Sequence, residues 1–247
     1  MELLKTDDGS YTLIYPDHQE TYHSKFGALT ESDQVYLRNS GVHQRLVRQQ
    51  PTAILEIGFG TGFNFVHTAS HAKASNCALS YTAYEISPLS KSIALQVLSH
   101  NAADNLELCH FTVEALDRIA TDETEVVTSY NDKTVLRLIC ADAASHRLPA
   151  DAFDAIYLDA FSTKNNPALW SASFLKSIHT AARPGATLAT YCVNGKFRAA
   201  LTEAGFEWQK LPGPKGKREV LIAKPSPEHY SDGTEVPENR RNTQNLV

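Results

Sequence analysis

Methionine occurs once, tryptophan twice and cysteine only four times in the 247 residues. The cysteines, Cys77, Cys109, Cys140 and Cys192, contain no C-x-x-C pair, which argues against a zinc ribbon and against a disulfide framework. Reduced, buried thiols are expected. No stretch approaches the ~20 apolar residues needed to cross a bilayer, and the start, MELLKTDDGSYTL, lacks the apolar run of a signal peptide. The expectation is a cytoplasmic chain with no membrane partner. Positive charge is scarce too: 23 Lys and Arg against 28 Asp and Glu leave a formal charge of -5. That balance speaks against the uniformly basic surface of many nucleic-acid binders, while leaving room for a local basic patch. Ten histidines are present, none in H-x-x-H or H-E-x-x-H spacing, so no metal is expected.

What remains is an ordinary globular composition, 42% hydrophobic and 21% charged, long enough for one large domain with its own core. No repeat or low-complexity block interrupts it. Ser10 to Tyr15 (SYTLIY), after the turn signal Asp7-Asp8-Gly9, predicts a short strand or hairpin, and Glu31 to Arg48 reads as a helix weakened at Gly41. From Thr52 the pattern alternates. Short apolar runs lie at Ala53 to Ile57, Leu79 to Ile86, Val135 to Ala141, Phe153 to Phe161 and Ala186 to Val193, with helical segments at Phe63 to Lys73, Leu89 to His100 and Pro167 to Ala182. Continuous apolar strands separated by helices imply a mostly parallel, doubly wound α/β sheet of the Rossmann-like kind, with ligands at the carboxyl ends of the strands. Two last strands, Gly205 to Lys210 and Glu219 to Ala223, are joined by a linker too short for a crossover, so an antiparallel C-terminal hairpin is expected. Asp122 to Lys133 reads as a polar extension before the third strand. The division expected is an N-terminal β/α extension at 1–50, a catalytic domain at 51–224 and a flexible polar tail at 225–247.

The first apolar strand runs into Glu56-Ile57-Gly58-Phe59-Gly60-Thr61-Gly62. Alternate glycines permit a sharp strand-to-helix turn and close approach of a ligand to the backbone. The spacing is G-x-G-x-G, with Phe63 where a dinucleotide fingerprint wants glycine and no G-K-[ST] of a P-loop, so phosphate cradling is the weaker reading. Glu85 ends the next strand, where a carboxylate can accept both hydroxyls of a ribose. Asp142 follows the third strand, able to accept from an exocyclic amine or simply to cap a turn. Loop and acids together describe a nucleoside pocket. Asp159 ends the fourth strand, and Asn165-Asn166-Pro167 beyond it reads as a turn with Asn166 capping a helix.

LEIGFGTGFNF followed by YEISP resembles the S-adenosylmethionine site of class I methyltransferases. From about Tyr11 to Lys224 the chain is similar to the tRNA 5-aminomethyl-2-thiouridine methyltransferases. The most specific elements are ETYHSKFGALTES with VYL, GFGTGFNF, LDAFSTKNNPALW, LATY and GPKGKREVLIA; Thr163 stands where that family usually has proline. The resemblance implies S-adenosyl-L-methionine as cofactor, bound by Glu56, Gly58, Phe59, Gly60, Thr61, Gly62, Asn64, Glu85, Ile86, Asp142, Ala143 and Asp159. It implies a tRNA partner, read at the wobble uridine of the anticodon stem-loop. In many bacteria this activity is fused to an oxidoreductase; here no flavin domain is expected.

Methyl transfer to an amine needs a neutral nitrogen aimed at the methyl group, and a carboxylate can orient that amine and take its proton. Asp159 is the expected catalytic residue. Phe161 and Tyr191, just beyond strand ends, are candidates to stack on the uridine, with Trp170 packing its helix, Asn166 as a further substrate contact and Tyr22 as one that the resemblance alone implies. Glu20 and His23 are candidates by resemblance alone. From Lys196 to Arg218 six basic residues face two acids, Glu203 and Glu207; Lys215, Lys217 and Arg218 on the hairpin turn are candidates for an anticodon-stem phosphate. The same fold also suits a small-molecule amine methyltransferase, an aminopropyltransferase or a non-enzymatic cofactor-binding module, and the loop and acids do not separate these.

Overall fold

A computed structural model describes residues 1–15 and 20–226. The N-terminal strands β1 (Glu2–Lys5), β2 (Tyr11–Tyr15) and β3 (Glu20–Thr21) form a small antiparallel sheet, pairing Leu3 with Leu13 and Ile14 with Thr21. The turn between β1 and β2 is organised by Asp8, whose carboxylate accepts from Thr6 Oγ1 (2.8 Å), Ser10 N (3.0 Å) and Thr30 N (2.9 Å).

The helix expected over Glu31 to Arg48 is three pieces: α1 (Ala28–Glu31), a π-helical stretch Ser32–Arg38, and α2 (Val42–Val47). Gly41 takes φ +82° ahead of α2, the break that its sequence position foreshadows. In the π stretch Asn39 N donates to Gln34 O, the wider i to i+5 closure that recurs at functional sites. Val35, Tyr36 and Leu37 are all buried, so this stretch is enclosed on more than one side.

Eight strands form the main sheet: β4 (Thr52–Ile57), β5 (Leu79–Glu85), β6 (Glu125–Ser129), β7 (Thr134–Cys140), β8 (Phe153–Leu158), β9 (Ala182–Thr190), β10 (Phe206–Pro212) and β11 (Glu219–Pro225). Their order is β10-β11-β9-β8-β4-β5-β7-β6, parallel from β9 through β7 and antiparallel at both ends. The C-terminal hairpin is as expected. Asp122 to Lys133 is not merely an extension: it contains β6, an edge strand that buries Val126 and exposes Val127, and this alternation is masked in sequence by its polar neighbours. Connections leave β4 in one direction to β5 and β7, and in the other to β8 and β9, so the crevice opens where β4 meets β8.

Helices α3 (Phe63–Ala74), α4 (Lys91–Asn101) and α5 (Leu106–Thr121) cover one face; α6 (Ala172–Ala181) and α7 (Gly195–Glu203) cover the other. The sequence reading passed over α5, whose buried residues Leu108, Cys109, Thr112, Val113, Leu116 and Ile119 follow helical spacing. Strand residues alternate between the layers: Ile54, Tyr81 and Leu138 join the α3–α5 side, and Leu55, Tyr84 and Ile139 the α6–α7 side. Burial on both faces is what makes these strands read as unbroken apolar runs. The predicted Pro167 to Ala182 helix divides into a 3-10 turn, Pro167–Trp170, and α6; Ser171 caps α6 by accepting from Phe174 N (3.3 Å). All four cysteines are unpaired. Among the described residues no helix is long and apolar enough to cross a membrane. The tail expected at 225–247 lies, from residue 227 on, outside the described residues.

Candidate active site

A cleft of about 330 Å³ opens at the carboxyl ends of β4, β5, β7 and β8. Its floor is the glycine turn. Gly58 has φ +91°, and a Cβ there would come within 2.8 Å of the Asp159 carbonyl; at Gly60, φ +55°, it would meet the Tyr22 ring at 3.0 Å. Neither position tolerates a side chain without moving backbone or ring. Gly60 N donates to Glu85 (2.8 Å), whose other oxygen accepts from Ser87 N (2.8 Å), so two amides hold this acid at the cleft wall. Asp142 lines the cleft and also caps the turn after β7, accepting from Ala144 N (3.0 Å). Phe59, Ile86 and Ala143 complete this wall.

Four residues proposed as cofactor contacts do not line the cleft. Glu56, Thr61, Gly62 and Asn64 lie beneath the loop, because the turn sends their side chains or Cα positions toward α3 and α5. Thr61 is fully buried and faces His23 Nε2 at 3.4 Å. Glu56 is fully buried and accepts from Asn64 Nδ2 (2.8 Å) and Tyr81 OH (2.9 Å); burial pushes its carboxyl well above the ordinary range, although those hydrogen bonds oppose the shift. Asn64, itself held by Glu56, belongs to the support of Asp159.

Asp159 projects into the cleft with both oxygens occupied. Tyr36 OH donates to one, and Asn64 Nδ2 donates to the other at 2.8 Å while also bonding Glu56. Ser32 Oγ donates to the Asn64 carbonyl, which fixes the amide with its NH₂ between the two acids. Burial, then the negative charge of Glu31, raises Asp159 to about 8, against the pull of its hydrogen bonds and of Lys217. Tyr36 and Glu31 escaped the sequence reading as site residues: Tyr36 falls within an apolar helical stripe, and Glu31 was read as a helix start.

Phe161 lines the cleft with Tyr15 and Tyr22, ring centroids 5.5 and 5.2 Å away. Glu20 accepts from Ser162 N (3.1 Å) and Asn165 Nδ2 (2.7 Å), tying β3 to the loop after β8. His23 is buried at the cleft. Asn166 lines the cleft but its side chain makes no cap bond, a correction to its expected role. Tyr191 is also corrected: its hydroxyl donates to Ala160 O (2.8 Å), and it lies behind the cleft wall, against Trp170. Trp170 packs as expected, donating to Phe161 O (3.0 Å). The basic turn divides. Lys217 pairs with buried Glu31 and sits 4.2 Å over the Tyr191 ring, turned into the protein rather than toward a ligand phosphate. Lys215, 72% exposed, reaches Asp7 at 3.2 Å, and Arg218 is exposed.

The family model described as an S-adenosyl-L-methionine-dependent methyltransferase matches residues 105–226. The tRNA 5-methylaminomethyl-2-thiouridine biosynthesis bifunctional protein MnmC of Burkholderia mallei is 32% identical over 91% of this chain and 36% of its own length. The protein of the same name from Burkholderia multivorans is 32% identical over 90% of this chain and 34% of its own. The chain thus spans about a third of the length of these curated relatives. The crystal structure of MnmC2 from Aquifex aeolicus superposes with a TM-score of 0.74 at 25% identity, over 90% of this chain and 70% of that one. The chain is a homologue of the MnmC proteins and has the α/β fold of S-adenosyl-L-methionine-dependent methyltransferases.

Proposed function

We propose that this chain is an S-adenosyl-L-methionine-dependent N-methyltransferase that converts the 5-aminomethyl group of a tRNA wobble uridine or 2-thiouridine to 5-methylaminomethyl. The observation that carries the reading is Asp159: a carboxylate on the cleft floor, raised to about 8 and aimed by two donors. The residues present fit the cofactor, since the backbone at Gly58 and Gly60 is bare where the cleft floor turns and two acids stand on one wall. Glu85 would accept the ribose hydroxyls and Asp142 the adenine amine, with Ile86 against the base and Phe59 and Ala143 closing the pocket. When bound, S-adenosyl-L-methionine supplies a methyl group on a positively charged sulfur.

Asp159 orients the substrate amine and takes its proton, freeing the nitrogen lone pair. Its raised basicity suits a proton acceptor working near neutral pH. Asn64, itself held by Glu56, supports the carboxylate from below, and Tyr36 holds it from the side. Phe161, with Tyr15 and Tyr22, provides an aromatic wall for the unstacked uridine, and Asn166 a polar edge contact. Lys215 and Arg218 are the exposed cations available to a stem phosphate; Lys217 serves Glu31 instead. In a chain of formal charge -5, such binding is modest and salt-sensitive. Residues 1–50 act as part of the catalytic unit at 51–224, because they contribute Tyr22 and Tyr36. A tRNA substrate implies a cytoplasmic protein.

The test is incubation with S-adenosyl-L-methionine and an anticodon stem-loop carrying 5-aminomethyl-2-thiouridine, followed by nucleoside mass spectrometry. Conversion to 5-methylaminomethyl-2-thiouridine is expected. Methylation of free polyamines with none of the stem-loop would replace this reading with a small-molecule amine methyltransferase.

A further inference from the structure

On the outer face of α3, away from the cleft, His67 and His71 stand four residues apart, a spacing that puts both imidazoles on one side of a helix. Asp33 of the π-helical stretch faces them. Its Oδ1 lies 3.3 Å from His67 Nε2, and one ligand atom from each of the three residues lies within 4.8 Å of the others. The His67 and His71 rings are 4.9 Å apart, edge to face, and His43 from α2 closes a further side of the cluster, 5.6 Å from His71. All three candidate ligands are half-buried. We propose that Asp33, His67 and His71 form a binding site for a divalent transition-metal ion of the zinc class, with water as a fourth ligand.

Two features favour a metal over a simple His–Asp contact. Two nitrogens and one carboxylate oxygen are the donor set of open zinc sites, where metal–ligand distances of about 2.0–2.2 Å put ligand atoms roughly 3.3 Å apart. The observed spread exceeds this only by what side-chain rotation supplies. The second feature is Asp33 Oδ2, which accepts from Arg38 Nε at 2.6 Å, leaving Oδ1 directed at the histidines; ligating carboxylates are commonly oriented by such an outer partner. The position carries a consequence. Asp33 adjoins Ser32 and His67 lies one turn beyond Asn64, so an ion here would clamp together the two elements that hold Asp159.

The experiment uses the untagged full chain, stripped with chelator and titrated with zinc chloride by calorimetry, with metal content measured after dialysis. One zinc per chain is expected, together with a higher melting temperature and, with cobalt(II) instead, the visible bands of a four-coordinate nitrogen–oxygen site. His67→Gln and His71→Gln should each weaken binding about tenfold or more. Failure of the wild-type chain to retain zinc, or retention of one equivalent at unchanged affinity by the folded double variant, overturns the proposal. Should the double variant not fold, Asp33→Asn replaces it, and loss of the cobalt bands in that folded variant supports the site while their persistence overturns it. None of these readouts depends on methyl transfer, so failure here leaves the proposed activity standing.

Discussion

Carboxylates at neighbouring strand ends lead different lives in the two halves of the cleft. Glu85, the last residue of β5, and Asp142, just beyond β7, are held by backbone amides of nearby turns and face the opening. Glu56 and Asp159, on β4 and just beyond β8, are held by side chains from elsewhere: Asn64, Tyr81 and Tyr36. The first pair is built locally and suits recognition. The second is built by packing, and the loss of water raises both acids well above their ordinary range. Residue type and strand position are alike in the two halves, so what separates an acid that faces water from one that has lost it here is the layer folded over it.

The largest break of this contrast is Asp159→Asn. It keeps the shape and removes the base, and single-turnover methyl transfer to the 5-aminomethyl stem-loop should fall by about 100-fold or more, with the circular dichroism spectrum unchanged. An unchanged rate would remove Asp159 from the chemistry.

Next in size is Glu31→Gln, which leaves Lys217 in a largely enclosed position without its anion. Because the Lys217 side chain keeps 25% exposure, we expect a loss of about 2 kcal/mol, below the range for fully buried pairs, or roughly 5 °C in melting temperature. The same variant has a pH signature. With Asp159 in its proposed role, activity should rise with pH through about 8; removing the Glu31 charge, which helps raise that value, should move the midpoint of this limb to lower pH. A midpoint that stays in place would show that Glu31 does not act on Asp159.

Glu85→Ala tests the other half. Loss of charged acceptors for two hydroxyls should weaken S-adenosyl-L-methionine about tenfold by titration, with a melting temperature close to the parent's. If stability fell as far as in Glu31→Gln, the contrast between locally built and packed acids would not hold. The smallest effect is expected for Asp8→Ala, remote from both. Burial alone would raise this carboxyl, but hydrogen bonds from Ser10, Thr30 and Thr6 outweigh it and hold it below the ordinary range. Its stabilisation is therefore present above about pH 4 and fades as pH falls through the depressed value. The residue is exposed, so the loss at neutral pH should be about 1 kcal/mol or less, read by chemical denaturation, and should shrink in acid.

Much of the molecule could be read in advance where the signal is local. The β4 turn with Gly58 and Gly60, Glu85 at the end of β5 and Asp142 after β7 lie where their neighbours in sequence indicate. β6 and α5 were harder, one hidden in a polar stretch and the other carrying an apolar stripe broken by Cys109 and Thr112. The resemblance points to Glu56 and Asn64 as pocket residues, whereas strand pleat and helix phase turn them under the loop. Lys217 looked like a surface cation because its partner, Glu31, is 186 residues away.

Composition and periodicity alone determined a doubly wound α/β chain, a glycine turn at Gly58 to Gly62 and acids at three strand ends. These follow from backbone geometry and from neighbours within a few residues. Only the tertiary structure decided which acid loses its water, which lysine is spent internally, and that Asp33 meets His67 and His71. The first and the last depend on the π-helical stretch packed over α3, and the lysine on Glu31 at the end of α1; contacts between segments distant in sequence leave no periodic trace in either one.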